Sequence, residues 1–373
     1  MKVLLTSDLY KPTINGVVAS LLNIEKGLKA QGHEVRILTL SQSMRSYKKD
    51  NVYYIGAVPA LVYPGARLRT ALAHPLVNEL IEWHPDVIHS NCEISTFLIA
   101  RKISKQCRVP IVHTYHTVYE DYTHYFSPSK RLGKAMVRKF SNMVADRTSA
   151  FIAPSYKVKR MLESYQISAP IYVIPTGIDQ DKFGDNAELP DKEKIKASLG
   201  IRSDEVVALY IGRLAKEKNA EALIRYMKDF ADDKVKLLFI GDGPYRTALE
   251  TLAQSQGMLG TKILFYGAVE PAEVGKYYHL GDIFVNASNS ETQGLTYFEA
   301  LSTGLPVLCK QDECLEGVVD QGVNGWTFEN EEEFSTYLHA FLDMGEKREE
   351  MHEAALKKGE AFSIPAFADS VVG

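Results

Sequence analysis

Short, uniformly apolar, β-rich runs alternate with amphipathic helical stretches along almost the whole chain, and they do so in two series. The first series comprises Val3–Thr6, Val35–Thr39, Val87–His89, Ile111–Thr114, Phe151–Ala153 and Tyr172–Ile174. The second comprises Val206–Ile211, Val235–Ile240, Ile263–Tyr266, Ile283–Val285 and Pro306–Cys309. Strands that alternate with helices form βαβ units and parallel sheets. Runs without a polar face suit strands covered on both sides. Between Pro175 and Leu199 the pattern lapses into a polar stretch with Gly177, Gly184 and Pro190. An interdomain linker is expected there, at about residues 175–185. The 373 residues are ample for two domains. The expected fold class is α/β, with two doubly wound Rossmann-like domains. Ligands of such sheets bind at the carboxyl ends of the strands, so a cleft faced by both sheets is the expected site.

Composition narrows the field. Hydrophobic residues at 45% and charged residues at 24% exclude a disordered, fibrous or coiled-coil chain. No apolar run approaches the roughly 18–20 residues of a membrane-spanning helix. The start, MKVLLTSDLYKP, reads as a buried strand rather than a signal peptide, so a cytoplasmic location is expected. Cys92, Cys107, Cys309 and Cys314 have neither CxxC nor zinc spacing and are expected as reduced thiols. The net charge of −4 conceals an asymmetry: residues 1–175 carry +11 and the remainder −15. Such a split points to an anionic surface, either membrane or nucleic acid. Residues 331–358 read as two charged helices. Ser363–Gly373 reads as an amphipathic helix that ends abruptly, which leaves a truncated chain possible.

Three segments carry chemistry. In Asn289-Ser290-Glu291-Thr292-Gln293-Gly294-Leu295-Thr296-Tyr297-Phe298-Glu299, a strand runs through a polar loop and a glycine into a helix. The amides of Gly294, Leu295 and Thr296 would then lie at a helix N-terminus, where free N–H groups and the helix dipole attract phosphate. Glu291 and Glu299 flank that point. A carboxylate beside a phosphate needs another partner, and sugar hydroxyls supply one. Glu-x7-Glu alone is common on solvated helices; the preceding strand and Gly294 make it specific. In Tyr210-Ile211-Gly212-Arg213-Leu214-Ala215-Lys216-Glu217-Lys218, a buried strand ends in Gly212 and then presents Arg213 and Lys218, which suit a diphosphate. A basic surface loop has the same composition. Asn15-Gly16-Val17 opens a helix after the first strand, in a short phosphate-type turn without GxGxxG.

Together these segments resemble the family-4 retaining glycosyltransferases of the GT-B fold, and the resemblance extends over nearly the whole chain. Gly32-His33-Glu34-Val35, Pro175-Thr176-Gly177-Ile178-Asp179 and Gly241-Asp242-Gly243-Pro244 match further landmarks of that family. The resemblance implies a GT-B architecture, α/β, with two Rossmann-like domains facing across a cleft. Residues 1–178 would bind the acceptor and residues 179–358 the nucleotide sugar. Residues 359–373 would form a helix returning to the first domain. It implies that Arg213 and Lys218 bind the donor diphosphate and that Glu291 holds the donor sugar. Glu299 would hold the ribose. Gly16, Gly212, Gly294, Leu295 and Thr296 would approach phosphate, and the backbone around Val269 would meet the base.

The segment Val112-His113-Thr114-Tyr115-His116-Thr117-Val118-Tyr119, continuing to Tyr125, is similar to the diacylglycerol glycosyltransferases of Gram-positive bacteria and mycoplasmas. By that resemblance His116 lies near the donor sugar and the reacting oxygen. The loose His113/His116 spacing and the lack of a suitable Asp-x-Asp argue against a metal, so neither metal nor other cofactor is expected. Residues 130–147 place Arg131, Lys134 and Arg138 on one helical face, with Lys130 and Lys139 nearby. Leu132, Met136, Phe140, Met143 and Val144 share the other face. Such a helix lies in an anionic membrane interface, or else packs its apolar face in a core.

The function implied is retaining transfer of a hexose, glucose first, from a UDP-sugar to diacylglycerol or its monoglycosyl product. The enzyme would sit peripherally on the inner face of the cell membrane. The sequence leaves open glucose or galactose, first or second sugar, and oligomeric state. Other readings are a GT-B enzyme acting on a phosphatidylinositol, a capsule intermediate or a soluble small molecule, and a non-catalytic nucleotide-sugar-binding protein. A nucleic-acid partner finds no motif.

Overall fold

A computed structural model describes residues 1–13, 15–60, 67–120, 129–184 and 191–373. The chain divides into two compact units. Met1–Gly177 and Ile364–Gly373 form one, and Ile178–Ser363 forms the other.

The first unit is built on an eight-stranded sheet. Its strands run in the order Ile171–Val173, Ala150–Ala153, Ile111–Thr114, Val87–Ser90, Lys2–Ser7, Glu34–Leu40, Val52–Ile55 and Tyr47–Lys49. All neighbours are parallel except the last pair, which is antiparallel. The strands bury alternate residues on opposite faces, as the two-residue strand period requires. Leu4, Leu38, Ile88 and Phe151 enter one core, while Val3, Leu5, Val35 and Ile37 enter the other. The chain leaves Lys2–Ser7 to one side for Glu34–Leu40, then crosses back to Val87–Ser90 on the other. The topological switch point therefore lies beyond Ser7 and Ser90.

The Ile178–Ser363 unit repeats the plan with six parallel strands. Their order is Ile263–Gly267, Val235–Ile240, Val206–Ile211, Ile283–Asn286, Val307–Lys310 and Gly325–Phe328. Ala208, Tyr210, Leu237 and Phe239 face one core; Val207, Leu209, Ile211 and Leu238 face the other. Its switch point lies between Ile211 and Asn286, the origins of both polar loops singled out in the sequence.

Both tail helices of this unit form, Glu331–Asp343 and Lys347–Glu360. The final helix, Ile364–Val372, packs on the Gly16–Ala30 helix within the first unit. The approach is close because Gly27 has no side chain. A Cβ there would stand 2.7 Å from that of Ala368. Gln31 adds a hydrogen bond to Asp369 at 2.6 Å. Overpacking this contact with Gly27→Leu is expected to lower the unit's stability by about 1–3 kcal/mol. A urea midpoint equal to wild type would contradict that packing.

Candidate active site

In the Ile178–Ser363 unit, the two loops at the switch point are joined to each other. Beyond Val206–Ile211 the chain passes through Gly212 to Arg213, then makes a single 3-10 turn, Lys216–Lys218. Beyond Ile283–Asn286 it passes through Ser288 and Glu291 to Gly294. Lys218 Nζ donates to Glu291 Oε1 at 2.7 Å. Asn219 Nδ2 donates to the Ala287 carbonyl at 3.1 Å, and Ser290 Oγ to the Glu217 carbonyl at 3.0 Å. Three side-chain bonds thus fix one loop against the other. Arg213 is exposed and forms no ion pair among the described residues.

Gly294 caps the Leu295–Ser302 helix in a left-handed conformation, φ 75°, and no side chain caps that end. Leu295 and Thr296 form the first turn, so their amides belong to the uncapped end where a helix attracts an anion. Gly294 is doubly required. A Cβ at that position would lie 2.3 Å from the Tyr297 ring, and the positive φ disfavours a side chain in any case. The adjoining strand end is equally bare: a Cβ on Gly241 would stand 2.0 Å from the Gly212 carbonyl oxygen.

One turn into the helix, Glu299 accepts a hydrogen bond from the Tyr278 hydroxyl at 2.6 Å. Burial raises the Glu299 carboxyl above its usual range, with the Tyr278 bond and the Lys182 charge opposing. Val269 is half-buried just after the Ile263–Gly267 strand. The fold therefore brings Gly212, Arg213, Lys218, Glu291, Gly294, Leu295 and Thr296 to one pair of adjacent strand ends. Sequence reasoning missed the Tyr278–Glu299 and Lys218–Glu291 partnerships, because neither pair is close in sequence.

In the first unit, Asn15 caps the Gly16–Ala30 helix, accepting from the Val18 amide at 3.0 Å. Gly16 itself is exposed at the helix start. A polar cluster lies at the carboxyl ends of Lys2–Ser7, Val87–Ser90 and Ile111–Thr114. His116 Nε2 meets Asn91 Oδ1 at 2.9 Å. His113 Nε2 meets Glu93 Oε1 at 3.3 Å, and the Tyr119 hydroxyl donates to Glu93. Asp8 accepts from the amides of Ser95 and Thr96 at 3.2 and 2.7 Å. Burial pushes His116 down to about 3, aided by His113 and His89; burial likewise pushes His89 down to about 4. Asn91 and Glu93 were not singled out from sequence, though their place just after a strand at a sheet's carboxyl edge is a usable signal. Asp121–Tyr125 lie outside the described residues. Among the described residues, no group of three His, Cys, Asp or Glu side chains is arranged to hold a metal ion.

The helix Lys130–Ala145 differs from its expected division of faces. Val137, Ser141, Val144 and Ala145 are buried, and Phe140 is half-buried. Leu132, Met136 and Met143 are instead 53%, 48% and 43% exposed. The apolar residues expected on a single face are thus split between the core and solvent. The exposed three recur at helical spacing beside exposed Arg131, Arg138 and Lys139. Lys134 is also exposed and pairs with Glu120. The side chain of Lys130 lies outside the described residues.

Comparison with known proteins fits this arrangement. Residues 14–182 match the family model described as Glycosyltransferase Family 4, and residues 191–358 match that of Glycosyl transferases group 1. An alpha-monoglucosyldiacylglycerol synthase of Acholeplasma laidlawii is 33% identical over 91% of this chain and 87% of its own length. A protein of the same name from Streptococcus pneumoniae is 31% identical over 90% of this chain and 77% of its own. The crystal structure of Anabaena HepE in complex with UDP superposes with a TM-score of 0.76 at 18% identity, covering 100% of this chain and 98% of the other. The fold is GT-B. The chain belongs to glycosyltransferase family 4 and is a glycosyltransferase.

Buried His89 and half-buried His116 set an acid limit on stability. In the folded state His116 and His89 stay neutral well below 6.5, whereas in the unfolded chain they bind protons below that pH. The unfolded state then holds more protons, so their contribution to stability is present above 6.5 and is lost as pH falls towards 4. His116→Gln is expected to lessen the fall in melting temperature between neutral pH and pH 5. An unchanged fall would contradict a neutral His116 in the fold.

Proposed function

We propose that this glycosyltransferase moves a hexose, glucose first, from a UDP-sugar to a lipid hydroxyl. The acceptor is diacylglycerol or its monoglycosyl product, and the new linkage is α. The observation that supports this reading is the pair of joined switch-point loops, in which Lys218 holds Glu291 just ahead of the uncapped Leu295–Ser302 helix. Cations and oriented amides stabilise a departing diphosphate more than the bound ground state, which is the requirement for acceleration. Support for the donor comes from the UDP held by HepE, and for the acceptor from the two relatives named as glucosyldiacylglycerol synthases.

In the proposed reaction the bond from C1 to the β-phosphate oxygen breaks and a bond from C1 to the lipid oxygen forms on the same face. The hydroxyl proton passes to the departing phosphate. Glu291, held by Lys218, orients hydroxyls of the donor sugar. Glu299, held by Tyr278, takes the ribose. Gly212 and the Gly294, Leu295 and Thr296 amides approach phosphate, as does Gly16 at the start of its own helix. Val269 lies by the base. His116 stands near the sugar. No divalent ion is needed where this much positive charge is supplied by the chain.

The enzyme reaches its acceptor as a peripheral protein on the inner face of the membrane. Among the described residues no helix is long and apolar enough to cross a bilayer. The Lys130–Ala145 helix offers Leu132, Met136 and Met143 to the acyl boundary, with Arg131, Lys134, Arg138 and Lys139 for anionic headgroups. Each basic residue near such a surface contributes about 1 kcal/mol. The test supplies UDP-glucose or UDP-galactose with diacylglycerol or its monoglucoside in vesicles rich in anionic lipid. An α-glucosyl lipid is the expected product, and failure to form any lipid-linked sugar would overturn the proposal. Replacing Leu132, Met136 and Met143 by Ser should weaken vesicle binding more than about tenfold. Unchanged co-sedimentation would remove this helix from the membrane contact.

A further inference from the structure

We propose that Asn91 is a positioning residue that fixes the tautomer of His116, so that the imidazole meets a substrate hydroxyl as an acceptor, through Nδ1. The inference rests on the reading that His116 stands at the reacting sugar.

Asn91 follows the Val87–Ser90 strand at the topological switch point of its sheet, where α/β folds place their ligands. It is buried, at 2% exposure, and its own amide donates to the Thr6 carbonyl at 2.8 Å. Its side-chain Nδ2 faces two further acceptors, the Thr6 carbonyl at 3.5 Å and the His89 carbonyl at 3.4 Å. With the NH2 group turned to carbonyl oxygens, Oδ1 is left to face His116 Nε2 at 2.9 Å. An amide oxygen only accepts, so Nε2 must carry the hydrogen. A neutral imidazole has one N–H, and the bond at one nitrogen dictates the state of the other. Nδ1 is therefore a bare lone pair. Among the described residues it has no hydrogen-bond partner.

The surroundings keep the ring neutral. Desolvation disfavours the imidazolium, and the neighbouring His113 and His89 rings disfavour it further. The two carboxylates of the cluster are committed elsewhere: Glu93 to His113 and Tyr119, Asp8 to the amides of Ser95 and Thr96. Among the described residues neither forms a hydrogen bond or ion pair with His116. The opposite tautomer would present an N–H at Nδ1, a donor towards the same space. A hydroxyl that donates to Nδ1 has its own oxygen lone pairs turned away from the ring. That orientation serves a hydroxyl of the donor sugar or the attacking hydroxyl of the lipid.

The test uses the intact protein labelled with 15N-histidine, with the His116 signals identified by their loss in His116→Gln. The expected wild-type spectrum has a protonated Nε2 and an unprotonated Nδ1 that do not titrate near neutral pH. A proton on Nδ1 overturns the proposal, and this measurement requires no change at Asn91. Asn91→Leu should mix the tautomers and lower kcat by on the order of a hundredfold, with a smaller effect on the donor KM. Asn91→Asp restores an oxygen acceptor and should recover both the Nε2–H signal and much of the lost turnover. Mixed tautomers with unchanged kcat, or no recovery with Asp, overturn it as well. A hydroxyl on the sugar predicts that slow donor hydrolysis without lipid falls in step with transfer; a lipid hydroxyl predicts that only transfer falls. Full turnover in His116→Gln would instead refute the placement of His116 at the reaction and leave the tautomer assignment standing.

Discussion

The Lys218–Glu291 contact, 2.7 Å between Nζ and Oε1, is the join on which the candidate active site depends. It spans loops that leave the carboxyl ends of two neighbouring parallel strands, at the point where the sheet's winding reverses. Both side chains are only partly accessible, 26% and 11%, so each would lose hydration without the other. Paired, they put a cation and an anion beside the bare end of the Leu295–Ser302 helix. The cation adds to the helix dipole. In the proposed reaction Lys218 holds this anion back from phosphate and leaves it able to accept hydroxyl hydrogens. Arg213, exposed and without an ion pair among the described residues, extends the same positive field.

Both units place chemistry at the same topological position by different means. In the Ile178–Ser363 unit, glycines clear space at the strand ends and let the backbone act. In the first unit the strand ends are crowded with polar side chains that pair with one another: Asn91 with His116, Glu93 with His113 and Tyr119, Asp8 with a helix start. Buried polar groups in such a cluster are costly when any partner is missing, and this is what fixes their orientation. The first arrangement suits a charged, mobile ligand portion; the second suits the precise placement of an imidazole.

Much of the fold was legible in the sequence because buried parallel strands are written as continuous apolar runs. The expected runs fall within a residue or two of the observed strands. Val52–Ile55 and Tyr47–Lys49 escaped notice: they are short, near the sheet edge and rich in tyrosine or lysine, with no clear period. Gly325–Phe328 was masked by its glycines and turn residues. The site was legible where one loop carried its own signal, as at Arg213, Lys218 and Gly294. Pairings such as Tyr278–Glu299 and Asn91–His116 were invisible, because separations of 21 and 25 residues are closed only by tertiary packing, of two helices in one case and of neighbouring strands in the other. On the Lys130–Ala145 helix, amphipathicity gave an apolar stripe but could not tell which part of it the sheet would cover. Leu132 and Met136 lie outside the buried arc that contains Val137 and Val144.

In the proposed reaction the chain itself supplies the positive charge that neutralises the departing diphosphate. Single-turnover rates and donor affinity, measured side by side for the wild type and for an Arg213→Ala/Lys218→Ala variant, test it most directly. A rate loss of more than about a hundredfold is expected, because removing a single oxyanion-stabilising donor costs about that much in acyl-transfer sites. The loss in donor affinity should be smaller, since these charges act chiefly on the transition state. Near-normal turnover in the double variant would contradict it.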